Sequence, residues 1–102
     1  MATVDYQLNW TKKLIAQPNA ASEPLLLPKH FNEFSVGICN TPGTAIIQFS
    51  LSSHIDIAAG NGQWHDWPLG NVQKGVDGLN FPIMAVRIVS TSANPKTMEI
   101  CG

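Results

Sequence analysis

The stretch Thr44-Ala-Ile-Ile-Gln-Phe-Ser-Leu-Ser-Ser53 decides the fold. Ala45, Ile47, Phe49 and Leu51 fall on one side of an extended chain, with Gln48, Ser50 and Ser52 on the other. This period of two is the mark of a half-buried strand. The segment before it, residues 31–40, repeats the pattern with Phe34, Val36 and Ile38 on one side. Asn40-Thr-Pro-Gly43 lies between the two as a tight connection, so the sequence predicts a hairpin. Downstream, Pro82-Ile-Met-Ala-Val-Arg-Ile-Val-Ser-Thr91 is apolar on both sides except at Arg87. That suits a central strand covered on both faces, and Pro82 sits at its start, where no ladder donor is needed. In Lys96–Cys101, Met98 and Ile100 alternate with Thr97, Glu99 and Cys101, a last strand expected to pair back on its neighbour. Residues 63–72 read as a strand, and residues 73–80, with Gly75 and Gly78, as a loop.

Gly, Pro and Asn together number 23 and cut the chain into short pieces, which favours strands. No window of eleven or more residues sustains a 3.6-residue apolar period. The nearest helical candidate, Thr11 to Ala16, spans one or two turns and stops at Pro18. Short strands at regular spacing predict an all-β fold, a small antiparallel β-sandwich of jelly-roll-like type. The first residues differ: Val4, Tyr6, Leu8 and Trp10 alternate with polar neighbours, and Gln17-Pro-Asn-Ala-Ala-Ser-Glu-Pro24 follows as a linker-like stretch. The expected organisation is an extended N-terminal arm and linker over 1–24 and a sandwich over 25–102. Ten extended residues reach roughly 33–36 Å, enough to cross a neighbouring subunit. An ordinary edge strand within the same sheet is the equal alternative.

With 102 residues the chain is one domain, since two halves would each be too small to bury a core. Charged residues make up 13%, about half the ~25% of an ordinary domain, and the net charge is −1. No basic stripe is present to neutralise phosphates, which argues against nucleic acid as a direct partner. The apolar runs are far shorter than the ~20 residues a bilayer span requires, so no membrane partner is expected. The first residues lack a basic region followed by an apolar one, so the expected origin is a cytoplasm, unless a leader has been removed. Two cysteines, Cys39 and Cys101, could close one large loop. A small secreted disulfide scaffold usually has at least four, so the balance is against a bridge.

No Gly-x-Ser-x-Gly, phosphate loop, His-Glu-x-x-His or Cys-x-x-Cys occurs, and the protein is expected not to be an enzyme. No metal or other cofactor is expected either: His30, His54 and His65 are far apart, although His54, Asp56, His65 and Asp66 could meet if their loops did. Arg87 is the unusual charge, because its neighbours on the same side are apolar and an unpaired buried cation is costly. A structural ion pair with Asp66 is expected, with Asp56 and Glu99 as further candidates; the alternative is that this side lies at a sheet edge and the guanidinium reaches out to water. Trp64 and Trp67, three positions apart, fall on opposite sides of a strand. One is expected in the core, and the other, beside His65 and Asp66, at the surface as a packing or sugar-stacking ring.

Three blocks together resemble the small β-sandwich virion proteins of tailed bacteriophages: Gly43 to Ser53, Trp64-His-Asp-Trp-Pro-Leu-Gly70, and Phe81-Pro-Ile-Met-Ala-Val-Arg-Ile-Val-Ser-Thr91. The resemblance covers roughly residues 43–100. It implies a structural protein of the capsid cement or decoration type, located on the capsid exterior of a virion and made in the host cytoplasm. It also implies a homo-oligomer, dimer or trimer, that adheres to the major capsid protein or another virion protein. Independently of it, Tyr6, Leu8 and Trp10 of the arm, with Trp64 and Trp67, are the expected partner-binding residues. Deletion of residues 1–20 is expected to spare the sandwich and abolish binding. The alternative is a carbohydrate-binding or tail-fibre adhesion module that uses Trp64 or Trp67.

Overall fold

In the computed structural model, residues 11–27, 34–79 and 83–101 are described. Eight strands and one short helix follow in order: β1 (Thr11–Ala16), β2 (Leu25–Leu26), β3 (Phe34–Ile38), β4 (Ala45–Ser50), α1 (His54–Ala58), β5 (His65–Asp66), β6 (Gly75–Leu79), β7 (Ala85–Ser90) and β8 (Lys96–Cys101). They form two four-stranded sheets, β1-β8-β3-β6 and β2-β7-β4-β5, in which every pairing is antiparallel. This interleaved order is that of a jelly roll, so the expected all-β sandwich is what the chain forms.

The alternation read from the sequence sets the core, except at the end of β4, where Ser50, read on the polar side, is buried and Leu51, read on the apolar side, is exposed. Phe34, Val36, Ile38, Met98 and Ile100 of the first sheet are buried against Ala45, Ile47, Val86 and Ile88 of the second. Strand β7 is central, between β2 and β4, as its composition predicted, but it is not covered on both faces: Arg87 and Val89 on its outer side are only half-buried.

Three pairings differ from expectation. The predicted β3–β4 hairpin does not form, because the two strands belong to opposite sheets. Each presents one apolar side, and facing those sides across the sandwich buries both, whereas a hairpin would set them edge to edge. Gly43, at φ +98°, takes the left-handed conformation in this crossing. Strand β8 likewise does not pair back on β7, whose two edges are held by β2 and β4; it lies between β1 and β3. The expected loop over residues 73–80 contains β6, paired along its length with β3. Its Gly75 marks a close approach, since a Cβ there would stand 3.0 Å from a Leu69 methyl carbon.

Thr11–Ala16 is a strand, paired residue for residue with β8, because six residues are too few for a stable helix and the β8 edge offers partners for all of them. The segment after it also lies along the sandwich. Ser22 N donates to the Ile88 carbonyl at 2.7 Å, and Ser22 Oγ accepts from Ile88 N at 3.0 Å. Residues 11–24, read as arm and linker, are therefore hydrogen-bonded to both sheets. The Val4–Tyr6–Leu8–Trp10 pattern lies outside the described residues. The helix is α1 instead, capped by Ser53 Oγ, which accepts from Asp56 N at 3.1 Å. Five residues with only Ile57 buried leave no periodic signal to read.

Candidate functional site

On the outer side of β2-β7-β4-β5, the register brings Arg87 opposite Gln48 and Gln48 opposite Asp66. Arg87 Nε donates to Gln48 Oε1 at 2.8 Å, and Gln48 Nε2 donates to Asp66 Oδ1 at 2.8 Å. A guanidinium can only donate and a carboxylate only accept, so these two partners fix the orientation of the amide between them. The guanidinium carbon lies 4.2 Å from the centre of the Trp64 ring, a cation–π contact. The expected Arg87–Asp66 pair is thus a relay through Gln48. The other two candidates stand elsewhere: Asp56 is in the first turn of α1, and Glu99 faces outward from the opposite sheet. Partial burial lowers the Arg87 pKa from its ordinary value, and among the described residues no carboxylate offsets that effect.

The two tryptophans separate as their spacing required. Trp67 is 1% exposed and packs edge-on to Phe34 and Phe49, with ring centroids 6.2 and 5.7 Å away. Its Nε1 donates to Asp77 Oδ2 at 2.8 Å, while Gly78 N donates to Asp77 Oδ1. The indole first, and the Gly78 amide second, hold the Asp77 carboxyl below its usual range. Trp67 therefore cannot be a partner-binding or sugar-stacking residue, because its ring is enclosed by the core. Trp64, half-buried beneath Arg87, is the surface tryptophan.

The outer side of β1-β8-β3-β6 has another character. A shallow groove of about 600 Å³ opens there, lined by the short side chains of Ser35 and Cys101, the bare backbone of Gly37, and Val76, Lys74 and Glu99. Gly37 stands opposite both Glu99 and Val76, so the middle of the face lacks a side chain where its neighbours have longer ones. Val76 is 79% exposed. Cys39 and Cys101 line this groove as free thiols. Burial, and then its hydrogen bond to Glu99, push the Cys39 thiol up, away from the reactive thiolate.

The expected metal candidates do not converge. Among the described residues no three His, Cys, Asp or Glu side chains come together as a ligand set. His54 Nε2 sits 3.1 Å from the Met84 carbonyl, which only accepts, so that nitrogen carries the proton. His65 is exposed and tilted against Phe49, and His30 is outside the described residues.

Lys96 is the residue that sequence reading missed. It is fully buried, and its ammonium donates to the carbonyls of Cys39 (3.2 Å), Thr41 (2.8 Å) and Gln73 (2.8 Å). All three donors are used, and they tie the β3–β4 crossing to the segment that leads into β6. The signal was present: Lys96 has the same parity along the strand as the buried Met98 and Ile100. Comparison of the chain with protein-family models, curated proteins and solved structures finds no match.

Proposed function

We propose that the protein is a non-enzymatic virion structural protein, of the capsid cement or decoration type, that binds neighbouring major capsid subunits and so stabilises the shell. The observation that carries this reading is the groove on the outer side of β1-β8-β3-β6, a wide face with short side chains beside the exposed Val76. A surface of that kind suits the charge-poor centre of a protein interface. The low overall charge, 13%, fits the same use. A protein that binds the assembled shell but not separate subunits stabilises assembly by mass action.

Light scattering of the purified chain, alone and mixed with capsid particles, tests the reading. A discrete dimer or trimer that co-sediments with particles is expected, and a monomer that ignores every particle overturns it. The arm residues Tyr6, Leu8 and Trp10 are tested by a deletion that ends at residue 10. Deletion through residue 20 would strip β1, and with it the fully buried Ala16, so it would unfold the sandwich rather than isolate the arm. With residues 1–10 removed, the chain is expected to remain folded by circular dichroism and to lose particle binding. Retained binding assigns the contact to the sandwich alone.

A carbohydrate-binding or fibre adhesion module is the second reading, now resting on Trp64 with Asp66 beside it. A glycan array answers it, and a flat response removes it.

A further inference from the structure

We infer that Arg87 is the receptor for a carboxylate carried by a partner protein. This inference rests on the reading of the chain as a protein that docks on other subunits, and it names the chemistry of one contact. Arg87 is held in place from two sides: Gln48 takes its Nε hydrogen, and the Trp64 ring lies beneath the guanidinium. Gln48 is in turn fixed by Asp66, so the arrangement has few rotamers left to lose on binding. What remains is the end of the guanidinium that carries the two Nη groups. Among the described residues no carboxylate contacts it.

That end matches a carboxylate in a planar two-bond contact, which a point charge such as lysine cannot reproduce. The site supplies a half-buried, oriented cation that no carboxylate among the described residues touches, with Asp66 held one amide away by Gln48. Arg87 is also the one Lys or Arg on the strands of β2-β7-β4-β5, so it has no rival for an incoming anion on that sheet. One face of the Trp64 ring is taken up by the guanidinium, which favours an acidic side chain over a stacked sugar as the occupant.

The test uses the full chain and needs no particle, so its failure is separate from failure of co-sedimentation. The Trp64 indole and Arg87 Nε signals are followed by NMR during titration with N-acetylglutamate, with N-acetylglutaminamide, which has no carboxyl group, as the neutral control, at constant ionic strength. Saturable shifts of both signals with N-acetylglutamate only, in the millimolar range, are expected. Arg87→Lys should weaken the effect on Trp64 roughly tenfold, the loss of one charge-assisted hydrogen bond, and Arg87→Gln should abolish it. Near-ultraviolet circular dichroism checks that both variants keep the native core around Trp67. Shifts with glucuronate but not N-acetylglutamate would overturn the assignment in favour of an acidic sugar. Equal shifts with the neutral control, or none at all, would overturn the site itself.

Discussion

At one end of the first sheet the Lys96 ammonium is sealed from water and met by three carbonyls. On the outer side of the second sheet the Arg87 guanidinium is only half-buried, with one amide at its Nε, a ring beneath it and an open end. The two cations sit on strands of similar apolar texture, yet their donors are spent in different ways. Lys96 uses its charge to join two chain crossings, and nothing of it is left for a ligand. Arg87 is oriented but not used up. Completeness of hydrogen bonding, more than burial by itself, separates a structural cation from one available for binding.

The largest expected effect breaks the first half of that comparison. Lys96→Met keeps the stem and removes the charge, leaving three carbonyls without their shared donor. A loss of about 3–5 kcal/mol is expected, read from the midpoint of urea unfolding at unchanged slope. A loss below ~1 kcal/mol would mean that water replaces the ammonium, and the crossing would not depend on it. Trp67→Ala should cost a similar ~3–5 kcal/mol by opening the core, whereas Trp64→Ala should cost ~1 kcal/mol or less. Equal losses would undo the assignment of one ring to the core and the other to the surface.

Arg87→Gln sharpens the second half. The contact with Trp64 is worth about 0.5–1 kcal/mol at a partly exposed site, so folding should barely change. If this variant unfolds as readily as Lys96→Met, Arg87 is a structural cation too, and the open end carries no function.

The same contrast shows what a sequence can and cannot say about this sandwich. Alternation along Phe34–Ile38, Ala45–Ser50 and Lys96–Cys101 tells which side chains face inward, because it depends only on the pleat of a single strand. It does not tell which sheet a strand joins, since either neighbour would bury the same side. The Asn40-Thr-Pro-Gly43 turn was therefore legible as a turn but not as a crossing between layers. Strand β6 was hidden for a related reason. Its Gly75 and Gly78 look like loop residues, and the need for Gly75 comes from Leu69, a contact visible only in three dimensions. The Arg87 site was half legible: an outward cation among apolar neighbours could be seen to need a partner. Gln48 as that partner required the register of β4 on β7.

The smallest expected effect concerns a third charge, Asp77, which joins the core to the exterior. The carboxylate is exposed, yet its pKa is lowered by the Trp67 indole and then the Gly78 amide. A group whose folded pKa lies below its unfolded value adds stability above the unfolded value, near 3.8, and loses it as pH falls through the lowered folded value. Asp77→Asn keeps an oxygen to accept from the indole but removes the charge, so it isolates this contribution. Urea midpoints measured from pH 6 down to pH 2 should show the native protein ahead of the variant at the upper end. The two curves should then converge as the native carboxylate takes up its proton. If the difference persists unchanged at pH 2, the asparagine amide is simply a poorer fit beside the indole, and the charge of Asp77 does not hold the Trp67 ring.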